Sequence, residues 1–135
     1  MTDDGGQMTE ANTRRQEYKF EKLEVWKLSI ELFDLVYEIE KNLPKSEQFN
    51  LSSQFRRSAT SISLNIAEGS TTATNAEFRR YLTIALHSYI ETYACYTLIL
   101  RRRYVEQDKP ECLKFEETGV KLFAKLQAFI KSFNK

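Results

Sequence analysis

The chain is organised around residues 51–69, LSSQFRRSATSISLNIAEG. An α-helix brings side chains three and four positions apart onto one face, so this period predicts a helix. One face is apolar and consists of Leu51, Phe55, Ala59, Ile62 and Ile66. Beside it runs a polar row of the same period, made of Gln54, Arg57, Ser61, Asn65 and Glu68. Two interpretations stay open: the polar row is solvated surface, or it turns inward and pairs with another helix.

Composition limits the classes of protein that the chain can belong to. Its 135 residues predict one domain. Twenty Lys and Arg against 19 Asp and Glu leave a net charge of +1, so nucleic-acid binding would need a local basic patch. The polar N-terminal stretch has no signal-peptide pattern, and there are only two cysteines, Cys95 and Cys112. We therefore expect free thiols and a cytoplasmic protein.

Apolar periodicity predicts three further helices, over about 23–43, about 75–102 and from about 110 onwards. Pro44 and a left-handed Gly69 would end the first two helices, Thr74 and Glu77 form a capping-box pattern, and Asp108 with Pro110 would start the last helix. Short connections make neighbouring helices antiparallel. The predicted fold is all-α, an up-down-up-down antiparallel four-helix bundle over 18–135, after a flexible lead over 1–17.

The third helix suggests a partner for the polar row. Glu91 is its only formal charge between Tyr81 and Leu100, so most of this helix should be covered, in part by another subunit. A covered carboxylate is costly unless it is paired. Counting back from Gly69 and forward from Thr74 puts Arg57 within reach, which predicts a buried Arg57–Glu91 ion pair. The leftover donors and acceptors would be satisfied by Gln54, Ser61 or Asn65.

Four strings resemble the four-helix bundle proteins encoded in 23S ribosomal RNA intervening sequences. They are FEKLEVWKLSIEL (20–32), PKSEQFNLSSQFRR (44–57), SISLNIAEG (61–69) and EFRRYLTIA (77–85). The residues at recurrent positions of that family are Arg56, Arg57, Ser61, Asn65, Glu68, Gly69, Glu77, Phe78 and Glu91. Two positions depart from the family pattern: Ser63 stands where proline is usual, and His87 where glycine is usual.

The resemblance implies a left-handed bundle that assembles into a ring-like homopentamer. It also implies likeness to the accessory variability determinant of diversity-generating retroelements, a pentameric basic barrel that works with a reverse transcriptase and its template RNA. Glu68, Glu77 and Glu91 would then belong, with the polar row, to a structural network rather than to a reactive site.

No residue pattern indicates catalysis, so we expect a protein that is not an enzyme and uses no cofactor. His87 is the only histidine, and its neighbour Ser88 points to another side of a helix. Two cysteines and one histidine do not make a zinc site. Glu68 and Glu77 flank one loop, but capping explains Glu77 better than a metal does. The third helix is too polar for a membrane span.

Six arginines are the candidate nucleic-acid contacts: Arg56, Arg79, Arg80, Arg101, Arg102 and Arg103. For each of them the alternative is a solvated surface interleaved with acids. The sequence therefore predicts an oligomeric accessory protein that binds RNA or DNA and works with a partner such as a reverse transcriptase. The alternative function is a purely structural or protein-interaction oligomer.

Overall fold

A computed structural model describes residues 17–134 and folds them into four α-helices, with no strand in that range. The helices are α1 (Glu24–Glu40), α2 (Leu51–Gly69), α3 (Asn75–Arg101) and α4 (Pro110–Ser132), and short 3₁₀ turns cover Lys19–Lys22 and Lys45–Glu47. The predicted all-α class is confirmed. Of the predicted flexible lead, residues 1–16 lie outside the described residues, as does Lys135. None of the helices within 17–134 combines the length and apolarity that a membrane crossing needs.

Neighbouring helices run antiparallel. Their contacts show this, since residue numbers rise along one helix as the numbers of the contacted residues fall along the next. The contacts are Ser29 with Ser63 and Glu40 with Arg56 (α1, α2), Ser58 with Thr92 and Ser61 with Ser88 (α2, α3), Tyr89 with Phe123 and Tyr96 with Phe115 (α3, α4), and Glu24 with Lys125 and Glu31 with Thr118 (α1, α4). This pattern fits the up-down-up-down order, with α1 diagonal to α3.

The core lies along the bundle axis and is filled by the apolar seams of the four helices. Three aromatic side chains meet near its middle, where the ring centre of Phe115 lies 4.4 Å from that of Tyr96 and 5.9 Å from that of Phe55. All three are fully buried, and burying such a side chain stabilises the fold by about 1.5–3 kcal/mol. Leu113 of α4 is exposed, because this helix meets the core one residue earlier, through the buried Cys112.

Gly69 does not take the predicted left-handed conformation, since no glycine among the described residues has a positive φ. Instead it lets α3 approach closely: a Cβ there would lie 2.8 Å from Tyr81 Cβ and 2.9 Å from Phe78 Cδ1. The chain then continues the helical path, with Ser70 N–H donating to Ile66 O and Thr72 N–H donating to Gly69 O. The α2–α3 turn is therefore longer along the bundle axis than the sequence suggested.

The predicted helix starts are only partly correct. Thr74 Oγ1 accepts a hydrogen bond from Glu77 N at 3.2 Å, as the capping-box pattern predicted. Pro110 is the first residue of α4, also as predicted. The acidic cap assigned to Asp108 is wrong, because Lys109 occupies the cap position and its side chain makes no capping hydrogen bond.

We expect Gly69→Ala to destabilise the chain more than Gly119→Ala. At residue 69 the new methyl group meets the rigid Cβ of Tyr81, whereas at 119 the nearest atom is the terminal hydroxyl of Tyr89, at 2.6 Å, which can move. Overpacking of this kind costs about 1–3 kcal/mol, partly offset by the higher helix propensity of alanine. Urea unfolding of both variants measures the difference, and an equal or reversed order would show that α2 and α3 do not need this contact.

Candidate nucleic-acid interface

Hydroxyl groups, rather than charges, join the polar side of α2 to α3. Thr92 Oγ1 lies 2.8 Å from Ser58 Oγ, and Ser61 Oγ lies 2.9 Å from Ser88 Oγ. Asn65 Nδ2 supports Ser61 by donating to its carbonyl oxygen at 2.8 Å and to its hydroxyl at 3.1 Å. The middle of the predicted polar row therefore does contact the next helix, through short side chains that allow a close approach.

The predicted burial of Arg57 and Glu91 is wrong, because both side chains are exposed. No ion pair within 4.0 Å joins them among residues 17–134, and Arg57 instead donates to Gln54 Oε1 at 3.4 Å. The two charges do act on Cys95 between them. Burial is the main cause that raises the pKa of this thiol; the Glu91 carboxylate raises it further and the Arg57 guanidinium lowers it.

The assumed register of α2 against α3 is also wrong, but this error does not explain the missing ion pair. The count back from Gly69 and forward from Thr74 puts Ser61 (69 − 8) level with residue 82 (74 + 8), but Ser61 contacts Ser88, six residues further along (88 − 82 = 6). The shift arises because residues 70–72 prolong the path of α2 before the chain reverses. The observed register puts Arg57 and Glu91 at nearly the same level, because their neighbours Ser58 and Thr92 are in contact. The ion pair is absent because both side chains lie on exposed faces of their helices rather than between them.

The two remaining acids of the predicted network lie at the α2–α3 turn. Glu68 is exposed. Glu77 Oε1 lies 3.6 Å from Arg80 Nη2, so this carboxylate pairs within its own helix. Within residues 17–134, no group of three or more His, Cys, Asp and Glu side chains is arranged to hold a metal ion. His87 is exposed on α3.

Three of the six candidate arginines are tied to neighbouring side chains. Arg56 Nη1 lies 3.0 Å from Glu40 Oε2, and Arg79 Nη1 donates to Asn134 Oδ1 at 2.8 Å. Arg80 pairs with Glu77, as described above, and its guanidinium lies 4.7 Å from the ring centre of Tyr81. Arg79 and Arg80 lie near the start of α3, whereas Arg56 lies near the start of α2, towards the other end of the bundle. The structure therefore does not bring all three arginines together into one patch.

Arg101, Arg102 and Arg103 lie together where α3 ends, and all three are exposed. No acidic side chain of residues 17–134 lies within 4.0 Å of them. The helix closes in a Schellman motif, in which Arg103 N–H donates to Leu100 O at 2.9 Å and Tyr104 N–H donates to Ile99 O at 3.3 Å. Arg103 has φ 61°, a left-handed conformation that usually falls to glycine.

Glu47 ties this arginine triplet to the α1–α2 connection. Its carboxylate accepts from the Tyr104 hydroxyl at 2.7 Å, from Asn50 Nδ2 at 3.1 Å and from Leu51 N at 3.4 Å. These hydrogen bonds, that of Tyr104 above all, hold the pKa of Glu47 below its ordinary value, and the charge of Arg102 contributes. We call residues 45–50 with 101–104 the basic end.

Sequence reasoning missed the part that Glu47 plays in joining these two segments. Asn50 occupies the cap position of α2, but its side chain makes no capping hydrogen bond. The available signal was an acid four residues before the first helical N–H, since a carboxylate at a helix N-terminus is a favourable acceptor. Tyr104 as its long-range partner has no local sequence signature.

The other side of the basic end is held by Glu116 of α4. Its Oε2 accepts hydrogen bonds from the hydroxyl of the buried Tyr96 and, at 2.9 Å, from Gln107 Nε2. Burial, and then the hydrogen bond to Glu116, raise the pKa of Tyr96 well above its ordinary value. The α3–α4 connection is thus fixed to the bundle on both sides of the arginine triplet.

These features define a class: a four-helix-bundle protein whose exposed, unpaired arginines gather at one end. Within that class the chain belongs to the 23S rRNA-intervening sequence protein family, whose model matches residues 21–123. The resemblance to this family is thereby confirmed.

A crystal structure from Bacteroides thetaiotaomicron VPI-5482 is similar to this chain, with a TM-score of 0.71 and 28% sequence identity. The similarity covers 79% of this chain and 98% of that one, which is described as a protein of unknown function from the S23 ribosomal protein family. Among curated proteins none matches.

We expect Thr92→Val to lower the free energy of unfolding by about 1 kcal/mol, because it removes a fully buried hydroxyl from its hydrogen bond with Ser58. Glu91→Gln, one residue away but exposed, should change it by less than about 0.5 kcal/mol. Denaturant unfolding at one protein concentration compares the two variants. A larger loss for Glu91→Gln would mean that charge, not the hydroxyl pairs, holds α2 to α3.

Proposed function

We propose that the chain is a non-enzymatic accessory protein that self-associates into a ring, a homopentamer, and binds RNA or DNA through its basic end. The observation that carries the proposal is the group of three adjacent, exposed arginines, none of which has an acidic side chain within 4.0 Å among the described residues. Phosphates are the natural counter-ions for such a group, because each guanidinium offers a planar set of N–H donors to the phosphate oxygens.

The net charge of +1 means that the chain as a whole contributes little attraction for nucleic acid. Binding must therefore be local and weak for each subunit, and a ring would strengthen it by presenting several basic ends to one strand. Such binding contacts phosphates, has little sequence preference and weakens steeply with salt.

Two exposed apolar grooves support ring assembly. One, of about 210 Å³, lies at the α1–α2 edge between Trp26, Ile30, Phe33 and Leu64. The other, of about 310 Å³, lies at the α3–α4 edge between Ile90, Tyr93, Val120 and Phe123. Because α1 contacts both α2 and α4, these are opposite edges of the bundle. A contact between two different faces of identical subunits is heterologous, and it closes into a ring when the rotation allows.

A reverse-transcriptase-type partner and its RNA belong to the proposal through the resemblance to the accessory variability determinant of diversity-generating retroelements. Membership of the 23S rRNA-intervening sequence protein family supports the resemblance to the bundle family from which this likeness was inferred. The subunit number of five also comes from this resemblance. Co-purification of RNA and of a polymerase with the native assembly would test both.

A purely structural oligomer without nucleic-acid contact is the second candidate. It is favoured because three of the six candidate arginines already interact with side chains of the chain itself. These pairs are Arg56 with Glu40, Arg79 with Asn134, and Arg80 with Glu77. The same two apolar grooves would serve this function equally well, so only a binding experiment separates the two candidates.

We expect replacement of Arg101, Arg102 and Arg103 by Gln to abolish most nucleic-acid retention in a filter-binding assay at low salt. With single strands, the slope of log K against log salt should become shallower by about 0.7 for each phosphate that the variant no longer neutralises. The control replaces Arg56, Arg79 and Arg80 by Gln, an equal change of charge, and should retain binding. No retention of the unmodified chain at low salt would support the structural candidate, and equal loss in both variants would mean that charge acts diffusely.

We expect Val120→Glu and Leu64→Glu each to prevent ring assembly while leaving the fold intact, because these side chains are 69% and 57% exposed. Val120→Glu leaves the groove at the α1–α2 edge unchanged, and Leu64→Glu leaves the groove at the α3–α4 edge unchanged. If the contact joins different edges, a mixture of the two variants forms a heterodimer, whereas each alone stays monomeric. Native mass spectrometry reads the result, and dimers of either variant alone would show that each edge pairs with itself.

A further inference from the structure

Phe49 is the feature of the basic end that charge does not explain. Its side chain is 89% exposed, more than that of any other large hydrophobic residue in the described part of the chain. Burying such a ring would be worth about 1.5–3 kcal/mol, yet it lies in water two residues before α2 begins. A ring so exposed at this position indicates a binding partner that covers it and that the isolated chain lacks.

The ring is held on a well-defined turn. On either side of it, Gln48 N–H donates to Lys45 O and Asn50 N–H donates to Glu47 O, both at 3.0 Å. The Glu47 carboxylate then fastens this turn to Tyr104 at the end of α3. The backbone that carries Phe49 is therefore already ordered before a ligand binds, which reduces the entropy cost of binding.

Register places Phe49 beside the arginine triplet. Ser58 contacts Thr92, and seven residues back along α2 (58 − 7 = 51) and seven forward along α3 (92 + 7 = 99) lead to Leu51 and Ile99. Phe49 and Arg101 each lie two residues beyond these. In antiparallel helices with the same rise, Leu51 and Ile99 are at one level of the bundle, and Phe49 and Arg101 therefore lie at the same end of it. The hydrogen bond between Glu47 and Tyr104, also near this level, shows that the two segments are in contact there.

Arg103 adds a second sign of function at the same place. A non-glycine residue in the left-handed region is disfavoured by about 1–2 kcal/mol. Here an exposed arginine takes the position that glycine usually fills in a Schellman motif. Backbone strain of this kind is found preferentially at functional sites. No acidic side chain among residues 17–134 lies within 4.0 Å of the Arg103 guanidinium.

We propose that the basic end binds single-stranded nucleic acid, with a base stacked on the Phe49 ring and the neighbouring phosphates held by Arg101, Arg102 and Arg103. An isolated exposed ring can stack only on an unpaired base, because the bases of a duplex already stack on one another. Charge complementarity at the same level favours a nucleic acid over an apolar protein segment. This inference rests on the proposed function and specifies its ligand.

The test is a fluorescence-anisotropy titration of the full-length chain with labelled 12-nucleotide oligouridylate, oligothymidylate and a 12-base-pair duplex. Phe49→Leu, which keeps apolar bulk but loses the aromatic face, should weaken single-strand binding about tenfold and leave duplex binding unchanged. Its salt slope should equal that of the unmodified chain, since every phosphate-binding arginine is still present. The RNA and DNA arms show which kind of strand binds better.

Phe49→Trp provides the rescue and a direct signal of stacking. It should bind single strands at least as well as the unmodified chain, and the fluorescence of the new tryptophan should be quenched by the oligonucleotide beyond the change seen for Trp26 alone. Tyr18→Ala is the matched control, because Tyr18 is also an exposed aromatic residue but lies near the start of α1, at the other end of the bundle. Its binding should not change.

Three results would overturn the stacking proposal while leaving the proposed function standing. These are equal weakening of single-strand and duplex binding by Phe49→Leu, no effect on either, or a changed native mass that would identify Phe49 as a contact between copies of the chain. If the unmodified chain binds none of the three probes at low salt, both proposals fall together.

Discussion

The close approach of α2 to α3 is the constraint on which the rest of the structure depends. Gly69 removes the side chain that would collide with Tyr81, and the hydroxyl pairs of Ser58 with Thr92 and Ser61 with Ser88 fix the register along the contact. Apolar packing alone is non-directional and tolerates sliding. Paired hydroxyls do not, because a shift would leave buried polar groups without partners.

Features that depend on residues close together in the sequence could be predicted, and features that depend on contacts between distant residues could not. The four helices were predicted because apolar period, proline and capping signals are local, and α2 began and ended where its sequence indicated. The register was not predicted, because it depends on the geometry of residues 70–72. The exposure of Arg57 and Glu91 was not predicted either, because it depends on which face each helix turns towards its neighbour. Sequence also could not separate the tied arginines from the unpaired ones, since Glu40 and Asn134 reach Arg56 and Arg79 across the fold.

The same register connects the fold to the candidate site. It places the start of α2 level with the end of α3, so that Glu47 reaches Tyr104 and the α1–α2 connection lies beside the arginine triplet. Glu47 then performs two tasks: it accepts the N–H of Leu51 at the start of α2 and it holds the two segments together. The pKa of Arg102 is raised first by Tyr104 and then by the charge of this carboxylate, whereas Arg101 and Arg103 have no acidic partner among the described residues.

Charge and apolar surface occupy different parts of the bundle, and this separation bears on the proposed assembly. The two grooves lie on opposite long edges, whereas the arginine triplet and Phe49 lie at one end. Subunits joined edge to edge would cover the grooves and leave every basic end exposed on the same side of a ring. A strand crossing that side would meet one ring of Phe49 and one arginine triplet per subunit, so the modest attraction of each would be repeated without any increase in the charge of the single chain.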